Sequence, residues 1–88
     1  MENKVISSLR EVDWKEIPVP TVVIYKNPLD FPEECVARVF NAKTGKSTPF
    51  CILRKTVKEC REDVHKSGFY VKFPRAKTDD KCIVESWI

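Results

Sequence analysis

Glycine is scarce in this chain, with two in 88 residues. That alone argues against a Gly-rich phosphate cradle, a Gly/Ser linker or a collagen-like repeat. No apolar run approaches the ~18 residues of a membrane helix, so no membrane partner is expected. The opening MENKVISSLREVD has no apolar core region and no small-residue cleavage site. Export is therefore not expected, and a cytoplasmic location is. The cysteines, Cys35, Cys51, Cys60 and Cys82, are separated by 15, 8 and 21 residues. Structural zinc sites bring ligands in close pairs such as Cys-x2-Cys. These four are read instead as reduced thiols filling apolar space, and no metal or other cofactor is expected.

What is present is ordinary for a small globular domain: 42% hydrophobic and 33% charged residues. A chain this long buries roughly 60–65% of its unfolded surface, enough for one core. Charge is unevenly spread. Residues 1–37 carry four bases and seven acids, and residues 38–81 carry twelve bases and five acids. A basic central block suits nucleic acid or an acidic protein face. The plainer reading is that these charges are the wet faces of strands and a helix.

The clearest local pattern predicts a helix over Thr56–Ser67. Thr56 and Glu59 have the spacing of a capping box, and Val57, Cys60 and Val64 share one face. His65 and Lys66 suit the negative end of the dipole. Gly68 then Phe69 fit a left-handed helix ending with an apolar fold-back. The rest reads as strands: Thr21–Tyr25, Cys35–Phe40, Phe50–Arg54, Phe69–Phe73 and Cys82–Ile88. Asn27-Pro28 and Asp30-Phe31-Pro32 supply turn chemistry between the first two. Thr44-Gly45-Lys46 turns the next hairpin.

The expected fold is α+β: a two-layer sandwich, with a mainly antiparallel sheet of four to five strands and one central helix (β-β-β-α-β-β). Residues 1–20 form an N-terminal segment, helical or an extended arm, and residues 21–88 a single domain. The helix stripe covers one sheet face. Arg38 and Phe40 alternate away from Ala37 and Val39, and Glu85 and Trp87 away from Val84 and Ile88. Tyr25, Phe40, Tyr70 and Trp87 are thus candidates for an open face, while Phe50, Phe69 and Phe73 are assigned to the core. Trp14 and Ile17 folding back over the open aromatics is the competing arrangement.

No catalytic set emerges. Cys60 and His65 are five residues apart, the wrong spacing for neighbours on a helix. Asp79-Asp80 lacks the further oxygens a hard cation needs. Lys43-Thr44-Gly45-Lys46-Ser47 lacks the earlier glycine of a phosphate loop and is followed by a strand. Aromatics beside lysines could stack bases, but the RNA-recognition sheet signature is missing.

TVVIYKNPLDFPEECVARVF at 21–40 and DDKCIVESWI at 79–88, joined by the short T-x-x-E helix, are distinctive in wording. Over residues 21–88 the chain resembles a group of small uncharacterised proteins of Gram-positive bacteria and their phages. The resemblance implies a stand-alone accessory protein of mobile elements, a class that commonly binds and blocks host machinery. The expectation is a non-catalytic, protein-binding regulator or inhibitor using Arg38, Phe40, Lys43, Lys46, Tyr70, Lys72 and Trp87. A nucleic-acid-binding module using the basic 38–81 segment is the alternative.

Overall fold

The computed structural model describes residues 4–74 and 81–88. Helix α1 spans Val57–Lys66. Thr56 precedes it in extended geometry, and its hydroxyl accepts from the Glu59 N–H at 3.2 Å, which is half of the expected capping box. At the far end Gly68 has φ 99°. Its N–H donates to the His65 carbonyl at 3.1 Å, and the Phe69 N–H donates to the Val64 carbonyl at 3.2 Å. These two bonds satisfy carbonyls the helix would otherwise leave orphaned, and they turn Phe69 into the core.

The strands are β1 (Lys4–Val5), β2 (Pro20–Lys26), β3 (Cys35–Asn41), β4 (Lys46–Arg54), β5 (Lys72–Pro74) and β6 (Ile83–Trp87). They form one sheet in the order β1-β4-β3-β2-β6-β5. All pairings are antiparallel except β1 on β4, which is parallel. The α+β class and the single helix are as expected. The strand count and order are corrected, because Lys4–Val5 adds a sixth, parallel strand that is too short to show any alternation. The strand expected from Phe69 begins only at Lys72, because Gly68 and Phe69 are spent on ending the helix.

Helix α1 packs on one face of the sheet. Cys60 and Val64 meet Val22, Ile24, Ala37, Val39 and Ile52 in a single core. Residues before β2 close the same side. They form two 3-10 turns, Leu9–Glu11 and Trp14–Glu16, and Leu9, Val12 and Ile17 are buried. The Trp14 ring meets Phe69 edge-on at 5.0 Å. Trp14 and Ile17 therefore fold back onto the helix side and leave Phe40 uncovered.

Two buried carboxylates fix this layer. Asp63 accepts from the Leu9 N–H at 2.9 Å, the Ser8 hydroxyl at 3.3 Å and the Arg54 guanidinium at 3.1 Å. Arg54 also donates to the Ser7 carbonyl at 2.5 Å. The second is Glu85, which accepts from Arg61 Nε at 2.8 Å, Arg61 Nη2 at 2.6 Å and the Trp87 indole N–H at 2.7 Å. Burial raises the Glu85 pKa, but the bonds from Arg61 and Trp87 outweigh it and leave the carboxyl below its ordinary range.

Two further expectations, for Trp87 and Phe73, are corrected on β6 and β5. Glu85 and Trp87 do share a face, as their alternation implies, but it is the helix face. Trp87 pairs with Val22 and is 5% exposed. A charged residue usually marks the wet side of a strand; here α1 supplies the counterion. A bulge follows, since Ile24 pairs with Glu85 but Tyr25 with Ile83, leaving Val84 unmatched. Phe73, assigned to the core, pairs with Ser86 at the sheet edge and is 47% exposed.

Candidate functional site

The face away from α1 is built from cross-strand rows. Tyr25, Val36 and Leu53 form one, Val23, Arg38 and Cys51 a second, and Thr21, Phe40 and Ser47 a third. Between Arg38 and Phe40 the pairing to β4 slips from Cys51 to Ser47. Such a slip bends and twists the strand, and the open face is concave there.

The connection from β2 to β3 folds over part of this face. Asn27 takes φ 51°, a conformation asparagine tolerates better than most residues. Its N–H donates to the Glu34 carbonyl at 2.9 Å and so closes the loop. Within the loop, Phe31 N–H bonds the Pro28 carbonyl at 3.0 Å and Glu34 N–H the Phe31 carbonyl at 3.1 Å. These bonds bury Pro28 and bring Asp30 to Arg38 at 2.8 Å.

A concavity of about 490 Å³ results, lined by Tyr25, Pro28, Asp30, Val36, Arg38, Phe40 and Ser47. Its floor is apolar and aromatic, with Val36 and Cys51 fully buried in the sheet beneath. Burial pushes the Cys51 thiol up, which keeps it protonated and a poor nucleophile. The Arg38 side chain is 13% exposed and Asp30 44%. The pair therefore offers a wet carboxylate beside a largely buried guanidinium. On the same loop Leu29 is 97% exposed.

The seven residues singled out from the sequence divide into four places. Arg38 and Phe40 line the concavity. Lys43 and Lys46 belong to the β3–β4 hairpin, where Asn41 Oδ1 accepts from the Lys43 N–H at 3.0 Å and Gly45 has φ 72°. Lys46 adjoins Ser47, so this hairpin borders the concavity at its Phe40 end. Tyr70 and Lys72 lie by the β5 edge. There the His65 ring sits 5.8 Å from Tyr70 and 4.7 Å from Trp87. Trp87 belongs to the core.

Pro28, Asp30, Val36 and Ser47 were not legible as site residues. The turn chemistry at 27–32 locates the loop, but no spacing rule says that Asp30 reaches Arg38. His65 is exposed and Cys60 buried on α1, so they do not form a nucleophile pair. The Asp79-Asp80 pair lies outside the described residues. Among the described residues no cluster of three or more His, Cys, Asp or Glu is arranged to hold a metal. No helix among them is long and apolar enough to cross a membrane. No family model, curated protein or solved structure matches the chain.

Proposed function

We propose that the protein is a non-catalytic, protein-binding regulator or inhibitor whose contact surface is the open sheet face around Arg38 and Phe40. The observation that carries this is the concavity itself. It is a depression lined by Tyr25, Phe40 and Arg38 on the sheet face away from α1. Tyr and Arg are the residue types that dominate binding energy when a partner desolvates them. The exposed Leu29 at its rim adds apolar area that a partner would bury. The resemblance to small proteins of bacteria and phages makes host machinery the proposed target.

The nucleic-acid reading rests on the basic 38–81 segment, whose Lys43 and Lys46 are both exposed in one hairpin. It is the weaker of the two because Arg54 and Arg61 of the block are tied to carboxylates on the helix side, while Arg38 lies with the aromatics of the concavity. Arg38 pairs with Asp30, Arg54 with Asp63 and Arg61 with Glu85.

Capture from nuclease-treated host lysate tests the proposal, with Leu29→Lys run beside the unmodified chain. Leu29 is 97% exposed, so the substitution leaves the melting temperature nearly unchanged. The expected result is a protein partner that survives nuclease and is lost with Leu29→Lys. Loss of every partner on nuclease treatment would favour the lysine hairpin instead.

A further inference from the structure

We infer that the β5 edge pairs with the β5 edge of a second copy of this chain, joining two six-stranded sheets across a two-fold axis. This surface is separate from the concavity and does not depend on its reading.

The main chain comes first. Among the described residues β5 is the outermost strand on its side. Val71 and Ile88 exchange both backbone bonds, at 3.1 and 3.0 Å. In an antiparallel ladder such a pair alternates with one whose N–H and C=O turn outward. Lys72, paired with Trp87, is that outward residue, and the alternation gives Tyr70 the same sense. The edge thus offers donors and acceptors to another strand.

Lys72 and Pro74 guard the edge in part, but the residues around them are apolar and exposed. Of the seven large hydrophobic residues exposed among the described residues, four are gathered here: Tyr70, Val71, Phe73 and Ile88. Val71 and Ile88 are direct cross-strand neighbours, and Phe73 is on the same face two residues along. A contiguous apolar patch of this kind marks an interaction surface, unlike the scattered exposure of Val5 or Val19.

Charge then selects the register and the occupant. Centring the two-fold on Lys72 would set two ammonium groups directly opposite each other, which is unfavourable. Centring it on Val71 sets that residue against its own mate. It also sets Tyr70 against Lys72 of the second copy, twice over, so that charge meets ring. Pro74 has no N–H and stops the pairing from running further. A second copy therefore matches apolar to apolar and cation to aromatic on both sides of the axis. A two-fold contact uses the β5 edge of both copies and leaves no second β5 edge to pair, so it closes as a dimer and does not grow into a fibre. The paired segment is short, so association is weak and concentration-dependent.

Sedimentation equilibrium of the full chain, from low micromolar to near-millimolar concentration, tests this. The mass should rise from monomer toward dimer, and exchange of the Lys72 amide should slow in step. Lys72→Pro removes an outward N–H that β6 does not use, and Val71→Asp places two carboxylates at the axis. Both variants should stay monomeric at every concentration with a native circular dichroism spectrum. If one fails to fold, the other still decides. A chain that stays monomeric throughout overturns the inference and leaves the edge to a foreign strand. A dimer that survives the substitutions overturns it by placing the interface elsewhere.

Discussion

Glu85 is the residue where charge and burial meet most sharply. It is 3% exposed, yet ionised, because Arg61 reaches it from α1 and the Trp87 indole donates to it. Its pKa is depressed in the folded state from an ordinary value of 4.5. A depressed carboxyl contributes stability that is fully present above the unfolded value and lost as pH falls through the folded one. The melting temperature should therefore decline as pH drops below about 4.5. Glu11 is shifted the same way, chiefly by the Ser7 hydroxyl, so the comparison that isolates Glu85 is Glu85→Gln. That variant should be less stable near neutral pH and lose less on acidification. An equal loss in both proteins would show that the Arg61–Glu85 pair does not carry the effect.

The cysteines sort by the same logic. All four are unbridged. Burial pushes the Cys60 thiol up to about 12, and it also raises Cys35 and Cys51. Cys82 alone is only partly buried. Iodoacetamide on the native protein should modify Cys82 and spare the other three, and reductant should leave the melting temperature unchanged. Rapid labelling of Cys60 would mean that the helix-side core opens readily.

At the scale of elements, what was legible is what the chain encodes locally. Thr56, the Val57–Cys60–Val64 stripe, Gly68 and Phe69 lie within a few residues of one another, and each appears in its expected role. Thr56→Ala should cost about 0.5–2 kcal/mol, measured by urea denaturation. No loss would mean that the first turn is held by packing alone. Strand existence was also legible, but strand facing was only partly so. Arg38 and Phe40 lie away from the helix as their alternation implies. Trp87 does not, because its side is fixed by Val22 on β2 and by Glu85, which binds a guanidinium 24 residues before it on α1. Asp63 hides in the same manner: its partners Leu9 and Arg54 come from other segments. Long-range ion pairs invert the rule that charge marks the wet face, and no periodicity reports them.

At the scale of the whole molecule, the polar anchors gather on one side. Arg54–Asp63 and Arg61–Glu85 bind the N-terminal turns, α1 and the sheet into a single layer. Among the described residues the opposite side has the 27–34 loop over it, pinned by Asp30–Arg38. That division assigns stability to the helix side and leaves the open side available for contact. It is also why the site was half visible from sequence. Arg38 and Phe40 belong to a strand whose alternation can be read. Pro28, Asp30 and Leu29 belong to a loop whose path depends on the sheet beneath it.

The division is tested most directly by amide hydrogen exchange on the protein with and without its captured partner. Slowed exchange should fall on residues 27–31, on 38–40 and at Ser47. The helix Val57–Lys66 and the turns at 9–16 should be unchanged. Protection confined to the helix side, with the 27–34 loop exchanging as in the free protein, would contradict the assignment of the open sheet face as the binding surface.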